Sequence, residues 1–383
     1  MLDRRSFLIR GALATIGAGA MSRMAFARAA TQRRFVFIIQ RGAADGVGTV
    51  MPVGDPAYAV VRHAFAEDAA AGAKLDALFT LHPAMPKAAD LYRQRSALFV
   101  HAVASPYRDR SHFDGQNVLE TGGNSAYQVR DGWLNRLLSL LPHDDARAIA
   151  VSATMPVALR GSNEVASYAP SVLPDASDDL LQRVTMLYQG DTQLHALWSE
   201  AMSIRGLAGD EAEENGREAA ANGRLAAQLL LPADGARIAM IETGGWDTHG
   251  AQRARLAGGL SRLDTLIDAL RVGLGPVWHD TLVLVATEFG RTVAVNGTGG
   301  TDHGTAAAAM LLGGNVRGGR VVADWPGLAP AQLYEQRDLR PTMRLDDVIS
   351  GALSAHFGID PERTGAVLFP ALGKRAPVGG LVA

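Results

Sequence analysis

Cysteine is absent from all 383 residues, which excludes disulfides, thiolate metal sites and a cysteine nucleophile. An excess of charge of either sign is also missing: 37 Lys and Arg against 39 Asp and Glu give a formal net charge of −2. With no basic stripe, the electrostatic footprint of a nucleic-acid binder is lacking. There is no G-x-S-x-G elbow, no H-E-x-x-H helix and no Walker P-loop, so none of these established sites competes for the chemistry. No internal repeat and no linker marks a second domain. What is present is 48% apolar and 20% charged residues, enough for a sizeable core.

The first residues read MLDRRSFLIRGALATIGAGAMSRMAFARAA. Arg4 and Arg5 precede Ser6, Phe7 and Leu8, then a Gly/Ala-rich stretch from Gly11 to Met21, then small-x-small sites at Ala27 and Ala29. Residues 1–29 are expected to be a twin-arginine signal peptide, handled by the twin-arginine translocase, with a periplasmic or secreted product. The stretch is too short and glycine-rich for a transmembrane anchor, which needs about 20 apolar residues. Losing these arginines leaves a mildly acidic chain.

Residues 30–383 alternate apolar runs with amphipathic segments. Strands are expected at 33–40, 97–104, 148–152, 237–243 and 281–286, with a weaker candidate at 306–314. Their near-continuous Val, Ile and Leu content suits a parallel sheet covered on both faces. Leu256, Leu260, Leu263, Ile267, Leu270 and Leu274 recur at spacings of three and four, one apolar helix face that Gly275 and Pro276 stop. Two or three helices are expected in an insertion at about 177–231. The pattern predicts one α/β domain with a doubly wound, mostly parallel sheet.

Polar residues gather where these runs end. VATEFGRTVAVNGTGGTDHGTA carries Glu288 and Arg291 straight after the fifth strand, and delivers Asp302 and His303 side by side. Asp45 follows the first strand, RSHFDGQN with Ser111 and His112 follows the second, and Asp247 with His249 follows the fourth. In open α/β sheets ligands bind outside the carboxyl ends of the strands, so these loops should converge on one crevice. Three aspartates, a glutamate and histidines form a mixed O/N set suited to a divalent ion: zinc, manganese, magnesium or calcium. Asp45 in Ala-Asp-Gly is equally a turn residue. Ser111 before a helix is either an N-cap or a hydroxyl activated at a helix N-terminus. Arg291 either forks an anionic oxygen or pairs with Glu288.

Together RRSFL, RGAADG, RSHFDGQN, DGWLNRLL, GGWDTH, ATEFGRTVAVNGTGGTDHGTA, GGRVVADWPGL, DLRPT and VLFP resemble domain-of-unknown-function family 1501. These are bacterial proteins, commonly exported by the twin-arginine route. The resemblance implies an alkaline-phosphatase/sulfatase-like fold. By order it implies a first-strand metal ligand at Asp45 and a nucleophile position near Ser111 or His112. The remaining metal ligands would be Asp247 with His249, then Glu288, then His303 with Asp302 beside it. Two departures stand out: Phe289 follows Glu288 where a phosphatase has His, and the third element is compressed to Asp-x-His. The implied function is a metal-dependent hydrolase of a small anionic phosphate or sulfate ester, with Arg291 binding the anion. The alternative is a non-catalytic periplasmic binding or assembly protein, partnered by a co-exported protein of domain-of-unknown-function family 1800.

Overall fold

A computed structural model describes residues 32–142, 147–152, 154–168, 219–233, 235–373 and 376–383, with isolated residues between 184 and 198. The expected signal peptide and most of the expected helical insertion lie outside the described residues.

The frame is a nine-stranded sheet. Its strands in chain order are β1 (Arg34–Gln40), β2 (Ala97–Ala104), β3 (Ala148–Val151), β4 (Ala166–Tyr168), β5 (Ile238–Thr243), β6 (Thr281–Thr287), β7 (Ala307–Leu312), β8 (Arg320–Val322) and β9 (Met343–Arg344). They lie side by side as β8-β2-β7-β6-β1-β5-β3-β4, with β9 also paired to β2. Only β7 runs against its neighbours β6 and β2; the other pairings are parallel. The chain thus has the α/β class and mostly parallel sheet read from the sequence. The direction of β7 and the short strands β4, β8 and β9 are additions.

Every residue of β1 is buried, because helices cover both faces. Successive side chains of a strand point to opposite faces. Phe35, Phe37 and Ile39 accordingly pack with Trp133, Leu134 and Leu137 of α3 (Trp133–Leu138). Val348, Ile349 and Leu353 of α6 (Leu345–Phe357) complete that layer. Val36 and Ile38 pack on the other side with α1 (Pro86–Arg93), α4 (Ala219–Leu230) and α5 (Gln252–Leu274). The six apolar residues predicted for α5 are all buried, each contributing about 1.5–3 kcal/mol of apolar burial. Gly275, at φ +53, ends α5 as expected. The remaining helix near the site, α2 (His112–Thr121), ends at left-handed Gly122, whose N–H reaches Val118 O.

The sheet direction positions the chemistry. Strands β1, β2, β5 and β6 all deliver their following loops to one edge. Because β7 is reversed, its leading residues, 302–306, return to that same edge.

Candidate metal centre

Three histidines meet one aspartate at this edge. Asp247 lies four residues past β5, and its Oδ1 stands 2.9 Å from His249 Nε2 and 3.2 Å from His303 Nε2. His112 Nε2 faces its Oδ2 at 3.5 Å. Ligand atoms of His112, Asp247 and His303 all lie within 4.8 Å of one another. His249 joins from the His303 side, with the two Nε2 atoms 3.0 Å apart.

The far side of each ring is already committed. His112 Nδ1 lies 2.8 Å from Glu288 Oε1, His249 Nδ1 lies 3.0 Å from Asp302 Oδ1, and His303 Nδ1 lies 2.9 Å from the Arg110 carbonyl. Carboxylates and carbonyls only accept, so each Nδ1 carries a proton and donates it. In the neutral rings each Nε2 then presents a lone pair towards Asp247. His112 Nε2 is buried without a hydrogen-bond partner. Lone pairs facing a carboxylate and one another are relieved either by a cation between them or by a second proton on a ring.

Local structure explains how each group arrives. His112 is the first residue of α2 and Gln116 lies one turn on, so both reach the same oxygen; Gln116 Nε2 donates to Glu288 Oε1 at 3.1 Å. Glu288, one residue beyond β6, is buried; its Oε1 also accepts from Gly42 N at 2.9 Å and its Oε2 from Thr287 Oγ1 at 2.9 Å. Gly42 sits at φ +117, and a Cβ there would stand 2.7 Å from Asp247 N. Only glycine lets β1 and β5 leave the sheet so close together. Gly290 is equally constrained, since a Cβ would lie 1.8 Å from Ala306 O. His112 stacks on Phe289 at 5.1 Å between centroids, so Phe289 forms an apolar floor under the imidazole.

The ionisations follow from these partners. Burial pushes the Glu288 carboxyl up, but hydrogen bonds from His112, Gln116 and Gly42 hold it below its ordinary value. Burial likewise opposes ionisation of Asp247, and the Arg291 guanidinium, with His249 and His112, more than offsets it. The His112 hydrogen bond to Glu288 raises that imidazole against burial, whereas burial and the neighbouring His112 lower His303. Asp302 is held low by His249 and Asn296.

Asp45 lies outside this cluster, contrary to the ligand role expected for it. Its side chain is completely buried and closed by Arg62, whose Nη2 reaches Oδ1 at 3.1 Å while Nη1 reaches Oδ2. Gln252 Nε2 also donates to Oδ2. A buried carboxylate needs such a partner, and Arg62 holds Asp45 below its ordinary value despite full burial. Arg291 differs as well. It is buried, pairs with Asp247 Oδ1 at 2.6 Å rather than Glu288, and bonds Thr301 O and Thr301 Oγ1 (3.2 Å), which leaves it no fork for an outside anion. Glu288 and Asp302 touch the imidazoles from behind. Ser111 stands at the N-cap of α2, but its hydroxyl makes no capping bond.

Sequence reading missed Arg62 and Gln252, and gave no role to Arg110, Gln116 and Asp338, which lie within the motifs RSHFDGQN and DLRPT. Of these only Gln116 had a readable signal, four residues from His112 in an expected helix.

Solved structures similar to the chain include three of low identity. The C-terminal periplasmic domain of EcEptC from Escherichia coli, complexed with Zn, is 8% identical over 75% of this chain and 74% of that one, at a TM-score of 0.35. Alkaline phosphatase from the Antarctic bacterium TAB5 is 11% identical over 77% and 95%, at 0.34. Phosphonate monoester hydrolase of Agrobacterium radiobacter is 11% identical over 76% and 70%, at 0.35. No curated protein matches the chain. Residues 32–366 match the family model described as "Protein of unknown function (DUF1501)", and the chain belongs to that family.

Proposed function

We propose that this chain is an exported, metal-dependent hydrolase acting on a small anionic phosphate or sulfate ester. The observation that carries the proposal is the convergence of three imidazole Nε2 atoms on Asp247, each with its Nδ1 proton already donated outward. Histidines held from behind by an acceptor are the usual way proteins orient and strengthen metal ligands. His112, Asp247, His249 and His303 would hold one divalent ion, with Glu288, Asp302 and the Arg110 carbonyl orienting them. Nitrogen and carboxylate donors without sulfur suit zinc or manganese over a softer ion. A bound ion would polarise an ester oxygen and stabilise charge developing on it. Among the described groups, Asp45 does not serve a second ion, because Arg62 already neutralises it.

The chain's own residues would do the rest. Glu288 keeps the His112 ring in one tautomer, and Arg291 keeps Asp247 ionised and pointed inward. Phe289 shields the floor from water. Ser111, next to His112 with a hydroxyl free of capping duty, is the candidate for attack on the ester. The reading stands or falls on metal analysis of the folded protein combined with turnover of aryl phosphate and aryl sulfate esters. Bound metal with turnover supports it, and a protein that takes up no divalent ion removes its basis.

A second reading is a non-catalytic assembly protein, for which a co-exported protein of family 1800 is the proposed partner. What favours it is Phe113, 84% exposed immediately beside His112, and Tyr127, 67% exposed near the same helix. A metal-bearing chain inert towards both ester classes would shift the balance to this reading. Among the described residues no helix is long and apolar enough to cross a membrane.

A further inference from the structure

The metal-centre reading leaves the motif DLRPT, residues 338–342, without a task. Its first residue, Asp338, is fully buried, yet its carboxylate gathers four donor contacts. Oδ2 accepts from Arg110 Nε at 2.9 Å, Arg110 Nη2 at 2.8 Å and Thr305 Oγ1 at 2.7 Å, while Oδ1 accepts from Arg337 Nε at 2.9 Å. Each of these partners leads to His303. The Arg110 main-chain carbonyl is the acceptor for His303 Nδ1, at 2.9 Å. A second nitrogen of Arg337 donates to the His303 main-chain oxygen. Thr305 lies two residues beyond His303.

The conformation of Arg110 shows why it needs to be held. Its φ is +62, in the left-handed region that a side chain other than glycine, asparagine or aspartate rarely adopts. Such a conformation persists where surrounding contacts over-determine it. Here the side chain is tied to Asp338, and also to Glu335 at 2.5 Å, and that turn aims the carbonyl at the imidazole. Released, Arg110 would relax to negative φ and its carbonyl would swing away. His303 would then lose the acceptor that fixes its tautomer.

We propose that Asp338 is a positioning residue for the metal centre. Through Arg110 and Arg337 it holds the His303 ring as the Nδ1–H tautomer with Nε2 aimed at Asp247. This rests on the metal-site reading for its purpose, though the positioning itself is measurable without metal. Asp338 touches neither ion nor substrate; it acts through the two arginines.

The test compares wild type, Asp338→Asn and Arg337→Ala as full-length proteins. Zinc affinity is measured by competition with a chromophoric chelator, and the His303 tautomer by nitrogen NMR of the metal-free protein. Arg253→Ala, which breaks a surface ion pair with Glu67 and Asp68, is the control. Asp338→Asn should weaken zinc binding about 10–100-fold, the usual cost of losing an orienting partner. It should also turn the His303 signal from a single Nδ1–H form into a mixture. Arg337→Ala, whose side chain is half exposed and whose loss the fold should tolerate, should shift both readouts the same way by less. A purely structural Asp338 would lower the melting temperature and leave affinity and tautomer as in wild type, and that result overturns the proposal. Should Asp338→Asn fail to fold, Arg337→Ala decides alone by the same two readouts. Should wild type bind neither zinc nor any other divalent ion, the metal reading fails, and the tautomer measurement alone judges the positioning role.

Discussion

His112 Nδ1 donates to Glu288 Oε1 at 2.8 Å, tying the first turn of α2 to the end of β6. The bond makes the two residues one unit. Glu288 stays ionised in a buried setting because His112 supplies a donor, and the neutral His112 ring keeps its one proton on Nδ1, leaving Nε2 bare, because Glu288 accepts from it there. Removing the histidine therefore has two separate effects.

His112→Ala should leave the buried Glu288 short of a donor, at a cost of about 1–3 kcal/mol. It should also lower zinc or manganese affinity at least about tenfold. Ser111→Ala tests the neighbouring hydroxyl. An N-cap with a side-chain bond loses about 1 kcal/mol on truncation. Ser111 makes no such bond, so its loss should change stability by less than about 0.5 kcal/mol and leave metal content intact. If Ser111 attacks the ester, turnover should vanish with the metal still in place. Melting curves, elemental analysis and ester hydrolysis on the same preparations separate these outcomes.

The Asp45–Arg62 pair gives a second expectation. Both side chains are wholly buried, so Arg62→Ala would strand a carboxylate away from water. The cost should be about 3–5 kcal/mol, appropriate to breaking a buried pair from one side. Asp45→Asn combined with Arg62→Met should recover much of that loss, because no uncompensated charge remains. Denaturant titrations of the single and double variants measure this. A single variant as stable as wild type would show that water reaches Asp45 after all.

The contrast between these two sites shows what the sequence made legible. Strands such as β1 and β6 were readable because burial on both faces demands an unbroken apolar run. The strand-end positions of Asp247 and His249 followed from that placement alone. Direction was another matter: the alanine-rich β7 carries no local mark of running backwards, and its reversal is what brings Asp302 and His303 to the edge. Asp45 looked like a ligand because its partner, Arg62, sits in an ordinary segment, VVRHAF, with nothing to show that it folds inward. Asp338 was silent for the same reason, its arginine partner Arg110 being far away in the chain. Ion pairs made by tertiary packing leave no spacing to read.

Two buried histidines predict how stability responds to acid. His101 is locked neutral: Nε2–H donates to Val50 O at 2.9 Å and Nδ1 accepts from Ala102 N at 2.7 Å. Burial pushes its pKa down to about 4, and burial does the same for His356, also to about 4. In the unfolded chain each titrates near its ordinary value, about 6.5. Between those values the unfolded state binds more protons, so stability is full above about pH 6.5 and falls as the pH drops towards 4. Each histidine should contribute a loss on the order of 3 kcal/mol across that window. Replacing His101 by Gln or His356 by Asn should flatten the slope of unfolding free energy against pH. An unchanged slope in both variants would place the proton uptake elsewhere.

Metal removal is the broadest of the expectations. With three imidazoles and a carboxylate facing one another, the empty cluster keeps opposed lone pairs that a cation relieves. An ion that binds only the folded chain adds about 2.7 kcal/mol of stability at a hundredfold excess over its dissociation constant. In a chain of this size that corresponds to a rise in melting temperature of several degrees. Chelation should therefore lower the transition, and zinc or manganese should restore it in a concentration-dependent way. Asp247→Ala and His303→Ala should each abolish that response. His195→Ala, at an exposed position outside the cluster, should retain it. Calorimetric scans with and without chelator, paired with elemental analysis, measure both quantities. A wild-type transition indifferent to chelator and to every divalent ion added would show that protons alone, shared among His112, His249 and His303, satisfy the cluster.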